Sequence, residues 1–283
     1  MSKIIRFPRL HIALAISGLL CFSPAPHSET TPAINHVPAN DYLLSVAAPL
    51  FPTITDENSE GLFFDIFREV FEKEGYSIST MIMPFKRSIR LLEQGKIDVY
   101  LTDWEHAFLT VESGYHPEKL YTPSQPISKE LISAIYLSDN VELTGQNPLI
   151  KLASNTQRLI GWVKDYEYDS LFDLPPESFQ TVTSSRQGLT MLQAGRLQLF
   201  LDDRDNSKVV IKQPDYKSAS FEIIPLRDNP LYPVFQNTEK GLKLADIYDS
   251  RMIELHQNGR IEELYQKWGY DYDTYFPTPT TKE

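Results

Sequence analysis

Six acidic side chains lie where predicted strands and turns end: Asp103, Glu105, Asp165, Glu167, Asp202 and Asp203. Carboxylates held at one cleft edge would favour a cation, or accept charge-assisted hydrogen bonds from an amine. Trp104, beside the first of them, could add a cation–π face or simply pack. Tyr166 stands between Asp165 and Glu167 and joins the candidate ligand contacts. Phe51 and Phe85 could each lay a flat apolar face on a ligand, or serve as ordinary core aromatics. Arg87, two residues past Phe85, is the cation best placed to fork a carboxylate. Arg90, one turn further on, reads as a surface residue. The acids have a plain alternative too: Asp202 and Asp203 could cap the helix that follows them, and others of the six could be solvated.

Other chemistries find little support. No Ser-His-Asp order, zinc-type His-Glu spacing or phosphate-binding glycine loop stands out, and the six histidines are scattered. Glu105 or His106 could be imagined as a proton-transfer group. The expectation is a binding protein, not an enzyme, with no cofactor or metal.

The elements that must position these groups follow from periodicity. Tyr42 to Ala47 reads as a strand, closed by the loop Pro49 to Thr53. Phe64, Phe67, Val70 and Phe71 recur at helical spacing, and Gly75 marks the helix end. A strand at 78–83, a helix at 85–94 closed by Gly95, and a strand at 97–101 follow. Strand and helix alternating with short connections predict a parallel sheet with right-handed crossovers. The pattern recurs in strands at 131–137 and 159–163, a helix at 184–193 ended by Gly195, and a strand at 197–201. Both glycine-ended helices feed apolar strands that finish in acid, at Asp103 and at Asp202-Asp203. Two helices, 241–256 and 261–268, close the chain.

The amino terminus has the layout of a secretory signal peptide over residues 1–28: Lys3, Arg6 and Arg9, then an apolar run from Ile12 to Phe22, then small and turn-prone residues. That run is too short for a transmembrane anchor, which needs about 20 apolar residues. Cys21 raises a lipoprotein alternative, but Leu20 before it is not the small residue that lipidation favours. The whole chain carries 27 basic and 38 acidic residues, for a net charge of −11. Removing residues 1–28 takes three bases and no acid, leaving 24 against 38 and a charge of −14. Such an acidic surface argues against nucleic acid or anionic membrane as partner.

Three stretches, EGLFFDIFREVFEKEGYSI, SIRLLEQGKIDVYLT and GLTMLQAGRLQLFLDD, with the ending IELHQNGRIEELYQKWG, resemble the family 3 periplasmic solute-binding proteins, the amino-acid type that serves ABC importers. The resemblance implies an α/β, two-lobed periplasmic binding protein fold of type II, each lobe a mostly parallel sheet flanked by helices, with a two-strand hinge. Lobe 1 would be 41–127 plus 226–269, lobe 2 would be 128–225, and 270–283 a flexible tail. It implies a periplasmic monomer that closes on a small polar ligand, amino-acid- or amine-like, and delivers it to a membrane permease. A sensory role at a membrane receptor, or a cyclohexadienyl-dehydratase-like activity on the same fold, are the alternatives. Phe51 and Phe85 match the family's stacking positions, and Asp203 its amine-gripping carboxylate. Two departures put the usual α-amino-acid clamp in doubt. Thr110 falls where the family's carboxylate-binding arginine belongs, and Asp165-Tyr166-Glu167 replaces the Gly-Ser/Thr turn. Arg87 would then supply the missing fork, or the ligand carries no carboxylate.

Overall fold

The computed structural model describes residues 42–51, 53–103, 116–140, 142–143, 147–153, 157, 159–164, 166 and 168–276. The expectations for residues 1–28, Trp104, Glu105, His106, Thr110, Asp165 and Glu167 lie outside the described residues, as does the side chain of Asp103.

The chain opens with β1 (Leu43–Ala48), α1 (Leu62–Phe71), β2 (Ser77–Ile82), α2 (Phe85–Glu93) and β3 (Val99–Asp103). β1 pairs in parallel with β2 on one side and β3 on the other, so the parallel pairing read from the sequence holds. β4 (Leu120–Tyr121) and β5 (Ser128–Leu137) come next, followed by α3 (Pro148–Ala153), β6 (Ile160–Val163) and α4 (Tyr168–Phe172). β7 (Phe179–Val182), α5 (Ser185–Gln193), β8 (Leu199–Asp203) and α6 (Arg204–Ile211) complete a second parallel unit in which β6 lies between β7 and β8. The chain returns along β9 (Phe221–Gln236) and ends in α7 (Glu239–Gln257), α8 (Arg260–Lys267) and α9 (Tyr272–Tyr275).

The two parallel units are joined by antiparallel strands, in the order β2-β1-β3-β9-β5-β8-β6-β7. β9 is the common element: its first part pairs with β5 and its last part with β3 and β4. It went unrecognised in the sequence because Pro225, Pro230 and Pro233 interrupt it, and proline donates no ladder hydrogen bond. Two of them sit where the register shifts: Pro225 beside the Ile132/Ser133 irregularity, and Pro233 within the Tyr100/Asp103 one. Bulges are where a sheet tolerates a missing donor.

Each unit has its own apolar core on both faces of its strands. In the first, α1, α7 and α8 cover one face with Phe64, Phe67, Phe71, Tyr248 and Ile261, packed on Phe235 of β9, while α2 covers the other with Ile89 and Leu92. Seven of the ten residues of α1 are buried, which is why its apolar face reads so clearly in the sequence. In the second unit, Trp162, Tyr168 and Leu201 lie on one face and Leu189, Leu192 and Phe200 on the other. The helix-glycine-strand pairs superpose in number as well as pattern. α2 and α5 are nine residues each, Gly95 and Gly195 take positive φ, and β3 and β8 end at Asp103 and Asp203, with an offset of one hundred residues throughout.

The tail expected after Tyr270 needs correction through Phe276. Residues 272–275 form α9, Tyr275 is buried, and it belongs to the same apolar core as α1, α7 and α8. An aromatic run of Tyr270, Tyr272, Tyr275 and Phe276 has too much apolar area to leave in water.

Candidate functional site

The carboxyl ends of the strands gather the candidate residues. On the first unit, β1 runs into a turn in which the Phe51 amide donates to the Thr55 carbonyl (3.1 Å) and the Thr55 hydroxyl donates back to the Pro49 carbonyl (2.5 Å). Thr55 is fully buried, so this turn is pinned from inside. Gly61 closes it at φ 127, where a Cβ would meet the Ile54 carbonyl oxygen at 2.3 Å; only glycine fits. The turn presents Phe51, partly buried. Phe85, the first residue of α2, packs against Tyr100 of β3 with ring centroids 5.6 Å apart. Arg87 and Arg90 are both exposed on α2, away from its buried Ser88, Ile89 and Leu92.

On the second unit, the two acids at the end of β8 part company. Asp203 is the N-cap of α6: its Oδ1 accepts from the amides of Asp205 (3.0 Å) and Asn206 (2.9 Å), and its Oδ2 from the Leu131 amide (3.0 Å). The capping alternative therefore describes what Asp203 does in this structure. Burial raises its pKa, against which the amide hydrogen bonds of Asn206 and Leu131 act. Asp202 is fully buried. Its Oδ2 accepts from the Ser207 hydroxyl (2.7 Å) and more weakly from the Asn206 amide group (3.3 Å). Its Oδ1 has no hydrogen-bond partner among the described residues. Burial, reinforced by the neighbouring Asp203 charge, pushes Asp202 up to about 7, although the hydrogen bond from Ser207 opposes it.

Sequence reasoning missed Glu130 and Tyr168. Glu130 lies in β5, and Tyr168, at the start of α4, donates its hydroxyl to Glu130 Oε1. Glu130 stands at the polar start of β5, after Ser128 and Lys129, where nothing in the sequence sets it apart from a solvated strand end. Asn229 of β9 stands opposite Glu130 in the ladder, so the two side chains share a face; its Nδ2 is buried without a partner among the described residues. Tyr166 lies among these groups. Its hydroxyl pKa is driven well above 10 by burial and then by the charges of Asp202, Glu130 and Asp203, with Tyr100 of the first unit also acting on it. Tyr166 and Tyr168 stack edge-on at 5.5 Å. The structure thus groups Tyr166, Asp202 and Asp203 with Glu130 and Tyr168, and Phe85 with Tyr100. The backbone of Asp103 pairs with Tyr232 at the end of β3.

The arrangement is rich in acceptors and aromatic faces. The ion pairs of this region run elsewhere: Lys129 to Asp228, Arg204 and Lys208 to Asp205. Among the described residues no group of three or more His, Cys, Asp or Glu is arranged to hold a metal ion. A surface cleft of about 510 Å³ lies apart from the strand ends, lined by residues including Glu60, Asp65, Arg68 and Trp268. Most of its charges gather on Asp65. Asp65 accepts from Lys267 (2.7 Å), Trp268 (2.9 Å) and Arg68 (3.0 Å), which hold its carboxyl below the usual value against the opposing effect of burial.

Comparison with known proteins agrees with this architecture. Residues 45–271 match the sequence profile of the bacterial extracellular solute-binding proteins, family 3. A Vibrio harveyi protein, PatH, whose name assigns it to amino-acid ABC transporter binding, is 22% identical over 226 residues, 77% of this chain and 83% of its own length. Among solved structures, a mutant of ArgBP from T. maritima superposes with a TM-score of 0.60 at 18% identity, covering 80% of this chain and 95% of that one. A histidine kinase sensor domain similar to periplasmic binding proteins gives 0.63 at 14% identity, over 80% of this chain and 96% of that one. Among the described residues no helix is long and apolar enough to cross a membrane. The mixed α/β fold, with its two parallel units bridged by β5 and β9, is that of the type II periplasmic binding proteins, and the chain belongs to family 3 of the bacterial extracellular solute-binding proteins.

Proposed function

We propose that this protein captures a small amino-acid- or amine-like solute between two lobes in the periplasm and hands it to an ABC importer. Lobe 1 comprises about 41–127 with 226–269, and lobe 2 about 128–225. The observation that carries the reading is Asp202: a fully buried carboxylate with one oxygen unpartnered among the described residues, at the carboxyl end of a strand, where open α/β sheets place their ligands. A buried acceptor left open is what an ammonium or amide donor would complete. Phe85 and Tyr166 supply faces for the rest of the ligand. Catalysis is not part of the proposal: the polar groups at the strand ends hydrogen-bond as acceptors and caps, an arrangement suited to holding a solute.

The test is a thermal-shift screen of the mature protein against amino acids, polyamines and cyclic acids. A ligand far above its Kd stabilises the native state by several kcal/mol. A hit among amines or amino acids supports the proposal; a hit confined to cyclic acids would move it toward the dehydratase-like reading. The likeness to a sensor domain supports a second reading, delivery to a membrane receptor. A deletion strain separates them: the first predicts lost uptake of the solute, the second a lost transcriptional response with uptake intact.

A further inference from the structure

The carboxyl-terminal segment is fastened at several points, and they do not all belong to the same half of the molecule. Tyr265, at the end of α8, donates its hydroxyl to Ser128 Oγ (2.8 Å) where β5 begins. Its ring forms the hub of a cluster, with Tyr275 at 5.2 Å, Phe276 at 5.5 Å and Tyr272 at 5.9 Å between centroids. Tyr272 shares a hydrogen bond with His256 Nδ1 of α7 (2.7 Å). The Tyr270 hydroxyl shares another with Thr53 Oγ1 (2.5 Å), in the turn after β1 that presents Phe51. These contacts all lie on the β1-β2-β3 half or at the start of β5. The Tyr275 hydroxyl reaches the other half: it donates to Asp205 Oδ2 on α6, the helix that Asp203 caps.

Asp205 is a well-held anchor. Arg204 grips both its oxygens at 3.0 Å and Lys208 lies 3.6 Å away. Burial alone would raise its pKa, but the hydrogen bonds from Arg204 and Tyr275 and the charges of Arg204 and Lys208 hold it below the ordinary carboxylate value. The Tyr275 bond is therefore charge-assisted at neutral pH.

We propose that residues 270–276 form a clasp between the lobes, and that the Tyr275–Asp205 bond raises the closed population of the ligand-free protein. One end is fixed to the half that carries Phe51 through Tyr265, Tyr270 and Tyr272. The other end is the Tyr275 hydroxyl on the half that carries Asp202 and Asp203. The Tyr265–Ser128 bond sits at the start of β5, where the chain itself joins the halves. Among the described contacts of this segment, parting of the halves therefore breaks the Tyr275 bond and leaves the aromatic cluster whole. Tyr275 is then a positioning residue: it sets the spacing between the two walls of the site without touching the solute. This goes beyond the binding proposal, since it concerns the empty protein.

The experiment places spin labels at the exposed positions Lys73 and Lys217, each changed to cysteine, one on each half, and measures their distance distribution without ligand. Tyr275→Phe removes only the hydroxyl, and the ring stays in its cluster. It should leave the melting temperature within a few degrees of the parent while lowering the ratio of short to long distances about tenfold, the effect of losing one charge-assisted hydrogen bond. Asp205→Asn should reproduce the shift from the other side. Distributions identical to the parent in both variants would overturn the proposal, as would a shift toward shorter distances.

Discussion

Replacing Asp202 by asparagine should make the empty protein more stable at alkaline pH and leave it nearly unchanged in acid. The carboxyl is raised from 3.8 to about 7 in the folded state. A folded-state pKa above the unfolded one means that the native state binds the proton more tightly, so stability falls as pH rises from about 4 to 7. At 1.36 kcal/mol per decade this single group costs the native state up to about 4 kcal/mol at pH 8. Asparagine keeps the shape and can still accept from Ser207, but its amide needs an acceptor where Oδ1 now has no partner. An unmet amide there costs about 1–3 kcal/mol. The net expectation at pH 8 is stabilisation of about 1–3 kcal/mol, and at pH 5 no gain or a small loss. Carboxyls depressed by their partners, Asp65 and Asp205, act in a different window: their contribution is lost only as pH falls below about 4 through their folded values. Urea unfolding of the mature parent and Asp202→Asn at pH 5 and pH 8 measures the difference directly. Parallel pH dependences in the two proteins would refute the account of Asp202 as a buried ionisable group.

Three further outcomes follow from named contacts. Gly188→Ala would normally strengthen a helix by about 1 kcal/mol, but here its Cβ would lie 2.2 Å from the Phe200 ring. We expect destabilisation of about 1–3 kcal/mol instead, from overpacking, seen as a lower urea midpoint. Phe67→Ala, at a fully buried position of α1, should cost about 3–5 kcal/mol by the same assay. Arg87 is exposed, so Arg87→Ala should leave stability within about 0.5 kcal/mol. Its effect on affinity tests the ligand: titration calorimetry should show a loss of about 2–5 kcal/mol if Arg87 grips a carboxylate on closure, and little change for a purely cationic solute.

Much of the fold was legible because both units write their parallel strands and helices locally. The apolar stripe of α1, the glycines that end α2 and α5, and the runs of β3 and β8 each declare themselves within ten residues. β9 did not, since its pairing with β5 and β3 comes from tertiary context that overrides three prolines. α6 announced itself only through the acids that could cap it. It contributes mainly Ser207, Val210 and Ile211 to packing, too few apolar residues to mark a period, and its start is set by the Asp203 cap. At the site, residue types were readable but their division of labour was not. Asp202 and Asp203 are neighbours in sequence, and strand alternation turns them to opposite faces, one to cap a helix and one into the interior. Glu130 joins them only because β5 lies beside β8.

The central claim is that Asp202 is buried in order to meet a solute. Titration calorimetry of the mature parent and Asp202→Asn with the best hit from the thermal-shift screen tests it most directly. The account predicts that the variant, stable at pH 8, loses about 2–5 kcal/mol of binding free energy, as expected when a buried charge partner is removed. Undiminished affinity in the variant would contradict it.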